Sequence, residues 1–402
     1  MSVAAGILGS APRRCPPADC PSRPRSHSRV SSTPGTSHGR PPLHAVQVLG
    51  GGGGGSGAHV RSLAGGLVAR GLRVTVCAAG CAEARYGFTG AGASFEALPA
   101  GTDALVVAGI RAASAHADVV HAHGLRWGVL AALALRGRAT PLVVTWYRRV
   151  CAAGARAHVV RLMERRAARG AAVVLAPSPD LVDQARLRGA RDARLAAVAL
   201  PAPRALPDDG DDPLRDKLLA ELGVMGRPLL LAVGRLEAEQ GYGPLLDAAR
   251  AWRHLDPEPL LLVAGEGPER GALQRRIEDE CLPVRLVGRR DDVPQLLAAA
   301  DVAILPSRWE ARSLLAQEAF QAGVPLVATS VGGVPDLVGD AAELVPYGDA
   351  GALALAVTGL LEDPSRRERL VMAGRVRLGE WPSEDDAVAH VLSVYDELSG
   401  WR

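Results

Sequence analysis

Residues 301–336 read DVAILPSRWEARSLLAQEAFQAGVPLVATSVGGVPD. Val302 to Leu305 is a short apolar run of the kind that forms a strand buried on both faces. The polar break 306–312 follows, and Ser313 is a good N-cap for a helix over 314–322. A second apolar run, 326–329, comes after the helix, so the segment reads as strand, helix, strand. Free backbone N–H groups gather near residues 312–315, where the helix dipole also favours an anion. Two carboxylates, Glu310 and Glu318, stand eight residues apart across this junction and can accept hydrogen bonds from hydroxyls. An anion site beside hydroxyl acceptors points to a sugar nucleotide.

The alternation continues in both directions. Further strands are expected at 229–233, 259–264, 284–287 and 343–345 in the second half. In the first half they are expected within HAVQVLG from His44, then at 73–77, 118–122, 141–145, 172–176 and 194–199. Helices are expected between them at 58–70, 126–135, 158–169 and 179–188. Strands alternating with helices predict an α/β fold with doubly wound parallel sheets. At 402 residues and 48% hydrophobic content, the chain can build two cores. The expected organisation is a first domain at 43–200, a connection at 201–227 containing PAPRALPDDGDDP and a helix at 214–222, and a second domain at 228–383. Residues 1–42, rich in Pro, Ser and Arg without hydrophobic period, are expected to be disordered.

The opening segment resembles the signature of the GT4 family of retaining glycosyltransferases. The matching letters are Pro306-Ser307, Glu310, Glu318-Ala319, Ala322-Gly323-Val324-Pro325 and Gly332-Gly333-Val334-Pro335-Asp336. The resemblance covers about residues 43–398 and implies a GT-B fold, two Rossmann-like domains facing across a cleft. It implies that Glu310 meets the donor sugar hydroxyls, Glu318 the ribose diol, and that a final helix at 384–398 crosses back onto the first domain. Gly234-Arg235-Leu236 resembles the start of a Gly-Arg-Leu motif whose arginine neutralises the donor diphosphate. Asp118-Val-Val-His-Ala-His123 resembles a cleft-lining strand end, which implies His123 at the reaction centre. The donor would also meet Gly54 and Gly55 of the glycine run 50–55, Gly265 and Gly267, Arg289, and the junction residues Arg312, Ser313 and Leu314.

Three positions depart from the family pattern. The motif's lysine is Gln240 here, its Gly-Phe-Gly is Ala311-Arg312-Ser313, and Tyr147 stands where related enzymes carry a histidine. Loss of a cation at a developing diphosphate removes several kcal/mol of transition-state stabilisation, roughly 10²–10³ in rate. Arg312, at the helix N-terminus, is expected to supply the charge missing at Gln240. The alternative function is a catalytically impaired relative that binds a sugar nucleotide and serves as a scaffold or regulator.

Composition narrows the rest. A net charge of +3 and 3% aromatic residues give no broad basic patch and few stacking platforms, so no nucleic-acid partner is expected. His121 and His123 share a strand face without a third ligand, and no zinc spacing accompanies the six cysteines, so no metal is expected. Cys77 and Cys81 read as apolar fillers. No cofactor is expected: Cys77-Ala78-Ala79 replaces the acidic residue an NAD site needs, and Lys217, the only lysine, lies in the connection, away from a pyridoxal phosphate cleft. The Asp209-Gly210-Asp211 triplet of metal-dependent transferases also falls there. Without an apolar leader or spanning segment, the expected setting is cytoplasmic, with the basic stretch 148–169 able to touch an anionic membrane. The expected acceptor is a small molecule, glycan or lipid.

Overall fold

The computed structural model describes residues 42–50, 54–150, 154–196, 213–224 and 226–400. The expectation for residues 1–41 and most of the connection 201–212 lie outside the described residues. Thirteen strands are described: β1 His44–Val48, β2 Arg73–Ala78, β3 Ser94–Ala97, β4 Val119–His123, β5 Leu142–Thr145, β6 Val173–Ala176, β7 Ala193–Leu195, β8 Leu229–Val233, β9 Leu260–Ala264, β10 Val284–Gly288, β11 Val302–Leu305, β12 Leu326–Thr329 and β13 Ala342–Val345. They form two parallel sheets, ordered β3-β2-β1-β4-β5-β6-β7 and β10-β9-β8-β11-β12-β13. Helices cover both faces, giving the two Rossmann-like domains that the alternation predicted. β3 was not expected. Its SFEA sequence is largely exposed at a sheet edge, so it lacks the continuous apolar run that marks the inner strands.

Chain order reverses between β1 and β4 in the first sheet and between β8 and β11 in the second. At such a switch point the loops at the carboxyl ends diverge and leave a crevice. Each sheet fixes its switch point by the same device. Asp118, just before β4, accepts from the His44 amide at 2.9 Å, and Asp301, just before β11, accepts from the Leu229 amide at 2.7 Å.

The helix Glu384–Gly400 crosses back to the first domain and buries Val388, Val391, Val394 and Tyr395 against β1, β2 and the helix Gly54–Ala69. Ion pairs Arg70–Asp385 at 2.5 Å and Arg194–Glu397 at 2.7 Å edge this contact, exposed enough that burial carries most of the energy. Two expectations need correction. The first helix begins at Gly54, four residues earlier than predicted, so Gly54 and Gly55 belong to its first turn rather than to a loop. Free N–H groups make an opening turn the cheapest helical place for glycine. Cys77 is buried as expected, but Cys81 is exposed at the start of the helix Cys81–Tyr86 and fills no core.

Candidate active site

The turns that follow β8, β9, β10 and β11 interlock at one end of the second sheet. Gly265 donates to the Gly288 carbonyl at 2.8 Å and approaches Gly234 so closely that a side chain at 265 would collide with its carbonyl oxygen. Leu236 donates to Glu266 at 3.1 Å, and Gly267 packs on the Leu236 backbone. Gln240 ends the turn Ala238–Gln240 with its side chain lying over Gly234, while Arg308 donates to the Glu239 carbonyl at 2.8 Å. Arg235 projects outward, 71% exposed, and pairs with Glu237 at 2.7 Å. Arg289 is likewise exposed and sits 3.5 Å from Asp291.

The loop between β11 and the helix Leu314–Gln321 is pinned from both sides. Gly333 donates to the Glu310 carbonyl at 2.9 Å, and Gly332, at φ 53°, lies directly against that carbonyl and the Trp309 ring. Trp309 donates to Asp180 of the first domain at 2.9 Å, and Ala311 is buried in the first domain's core. The loop that carries Glu310 therefore bridges the two domains. Ser313 caps the helix as expected, accepting from the Ala316 amide at 3.3 Å. Burial pushes the carboxyls of Glu310 and Glu318 up to about 7, with Arg148 of the first domain opposing the rise at Glu310. Arg312 is half-buried with its guanidinium 5.6 Å from the Trp381 ring centre, and its Nε has no partner among the described residues.

At the first switch point a buried hydrogen-bond chain runs across β1, β4 and β5. Tyr147 Oη lies 2.6 Å from His123 Nδ1, and His123 Nε2 lies 2.7 Å from Gln47 Oε1. Gln47 Nε2 donates to Tyr395 Oη at 2.8 Å, Tyr395 Oη lies 2.7 Å from His121 Nδ1, and His121 Nε2 lies 2.6 Å from Thr145 Oγ1. The two imidazoles stack with ring centres 4.2 Å apart. Burial pushes His121 down to about 3, and burial together with its histidine neighbours holds His123 well below the usual range, so both rings are neutral.

A cavity of about 600 Å³ opens between these two sets of loops. Gly50, Ser56, His123, Trp127, Tyr147 and Arg148 line it from the first domain, and Arg235, Arg312 and Leu314 from the second. The structure thus brings His123, Arg235, Arg312 and Leu314 onto one surface. Glu310, Ser313 and Glu318 belong to the adjoining loop and helix, whereas Gln240, Gly265, Gly267 and Arg289 stand in the neighbouring turns of the second sheet. Gly54 and Gly55 open the helix beside Ser56, and residues 51–53 lie outside the described residues.

Comparison with known proteins bears on the two domains in turn. Residues 54–201 match the family model for a glycosyl transferase 4-like domain, and residues 215–377 match that for glycosyl transferases group 1. Two glycosyl transferase family models thus match the two halves of the chain in turn. Glycogen synthase of Mycobacterium tuberculosis is 35% identical over 192 residues, 46% of this chain and 46% of its own. Alpha-D-kanosaminyltransferase of Streptomyces kanamyceticus is 32% identical over 223 residues, 53% of this chain and 57% of its own. The chain spans about half the length of the curated relatives it matches. Among solved structures, Anabaena HepE in complex with UDP-glucose shares the fold with a TM-score of 0.75 at 21% identity, over 87% of this chain and 99% of that one. Sucrose-phosphate synthase of Thermosynechococcus elongatus does so with a TM-score of 0.70 at 20% identity, over 89% and 100%.

Sequence reading missed Gln47, Trp127 and Tyr395. Gln47 left a signal, a lone amide inside the apolar strand HAVQV, where a buried polar group must find a partner. Tyr395 left none, because its partner is 348 residues away in the chain.

Proposed function

We propose that this chain transfers a sugar from a nucleotide diphosphate donor to an acceptor hydroxyl, with retention at the anomeric carbon. The observation that carries this reading is the shared cavity, in which cations from the second domain, Arg235 and Arg312, face His123 and Tyr147 of the first. Arg235 and Arg312 neutralise the diphosphate as it departs, a role electrostatic preorganisation rewards most where water is excluded. Glu318 and Glu310 accept hydrogen bonds from the ribose and sugar hydroxyls. Retention is supported by the engagement of both ring nitrogens of His123, which leaves that imidazole no free lone pair to act as a base on the acceptor. The departing phosphate oxygen then receives the acceptor's proton as the sugar–phosphate bond breaks and the new glycosidic bond forms on the same face.

The acceptor enters from the first domain, where Leu125, Trp127, Trp146, Val160 and Met163 form an apolar wall suited to an acceptor with an apolar portion. Val160 and Met163 belong to the helix Gly154–Gly170, whose outer surface exposes Val159, Leu162, Arg161, Arg165 and Arg166. That face suits contact with an anionic membrane from the cytoplasmic side. Among the described residues no helix is long and apolar enough to cross a membrane.

Incubation with UDP-, GDP- and ADP-sugars, scored by release of nucleoside diphosphate and by the anomeric configuration of the product, tests the reading. Turnover of one donor with retained configuration is expected. Tight binding without turnover of any donor would establish the scaffold alternative instead, and an inverted product would overturn retention.

A further inference from the structure

The proton order of the buried chain at the first switch point can be read from one residue. Gln47 donates its amide hydrogen to Tyr395 Oη, so the Tyr395 hydroxyl hydrogen is directed to His121 Nδ1, and His121 donates from Nε2 to Thr145. Gln47 Oε1, an acceptor, takes the Nε2 hydrogen of His123. His123 Nδ1 is then a bare lone pair, and the only hydrogen available to the 2.6 Å contact comes from the Tyr147 hydroxyl. Every member except Tyr147 is buried, so Tyr147 alone of the chain is open to a ligand. Tyr147 is half-buried and lines the cavity. Its hydrogen is committed inward, so what it presents to the cavity is an oxygen lone pair.

We propose that Tyr147, rather than the imidazole of His123, contacts the transferred sugar, and that it accepts a hydrogen bond from one hydroxyl of that sugar. His123, Gln47 and Tyr395 are positioning residues that act through Tyr147. They fix the direction of its hydroxyl hydrogen, and thereby make the position an acceptor that welcomes a hydroxyl and discriminates against a group able only to accept. The helix Glu384–Gly400 contributes to the site in this way from the far end of the chain, through Tyr395. This inference rests on the donor-site reading given under the proposed function.

Calorimetric titration with UDP and UDP-glucose, and with GDP and GDP-mannose, separates the nucleotide's contribution to affinity from that of the sugar. In Tyr147→Phe the nucleoside diphosphate should bind as in wild type, which also reports an intact second domain. The extra affinity conferred by the sugar should fall about tenfold, the value of one hydrogen bond. Repeating the titration with the four monodeoxyfluoro analogues of the bound nucleotide sugar locates the hydroxyl, because fluorine accepts but cannot donate. For one analogue, wild type and Tyr147→Phe should bind equally. Combining Tyr147→Phe with Tyr395→Phe should lose no more sugar affinity than Tyr147→Phe alone. An unchanged sugar contribution in Tyr147→Phe, or an equal loss with all four analogues, overturns the assignment alone. Failure of the wild type to bind any nucleotide sugar overturns the donor-site reading and this assignment with it.

Discussion

Gln240 and Arg312 are where this chain's own chemistry differs from the family pattern at residue scale. Gln240 lies over Gly234 in the turn after β8, beside the cavity, where a lysine would present a charge, and Arg312 lines the cavity itself from the turn after β11. Burial holds the Arg312 guanidinium below its usual range, and its Nε is unpartnered among the described residues, so an arriving phosphate would relieve a group that now lacks a counter-ion. If Arg312 has taken over the charge, Arg312→Ala should weaken sugar-nucleotide binding about tenfold or more while leaving thermal stability nearly unchanged. Gln240→Lys should raise kcat/KM about tenfold in the wild-type background and recover part of the loss in Arg312→Ala. Binding of the donor by Arg312→Ala as tightly as by wild type would end the compensation idea.

At the scale of elements, the loop between β11 and the helix Leu314–Gln321 depends on Gly332-Gly333 for its shape. A side chain at 332 would require φ near 53° and would collide with the Glu310 carbonyl, so Gly332→Ala should cost about 1–3 kcal/mol and displace Glu310. Asp301→Ala, which removes the clip between β11 and β8 away from the loop, should cost about 1 kcal/mol with donor affinity retained. Urea unfolding paired with donor titration distinguishes the two, and equal donor affinity in both variants would show that the glycines merely stabilise. These contrasts also explain what could be read from sequence. Inner strands such as LLLAV and VAIL are apolar without interruption, so their existence and order were legible. The Glu310–Glu318 junction was legible because strand, cap and helix are local. The edge strand SFEA was not, since three of its four side chains are exposed, and the first helix was read too short because glycine carries no helical signal. The partnership of Gln47 with Tyr395 needed the tertiary fold.

Across the whole molecule, the buried titratable groups of the two domains respond to pH with opposite sign. Glu310 and Glu318, raised from 4.5 to about 7, keep their protons in the folded protein while the unfolded chain has released them. Their contribution is therefore present below about pH 4.5 and is lost as pH rises to about 7. His121 and His123 are depressed, so their contribution is present above the ordinary histidine value and is lost as pH falls. Surface carboxylates held low by arginines, such as Glu280 at about 2, act below about pH 4.5, whereas the histidine and glutamate limbs overlap between about pH 4.5 and about pH 7 and oppose each other there. Calorimetric scans across this window should show Tm of the unliganded protein nearly flat where the two limbs cancel, and Glu310→Gln with Glu318→Gln should unmask a rise of Tm with pH of about 2 °C or more. Sugar and ribose hydroxyls donate more strongly to an ionised carboxylate than to a protonated carboxyl, so donor binding at about pH 6 should release protons, measurable as a dependence of binding enthalpy on buffer ionisation. Proton release that persists undiminished in the double Gln variant would assign it to other groups. Its loss there, with nucleoside diphosphate binding retained, would place the two carboxyls against the sugar and the ribose of the bound donor.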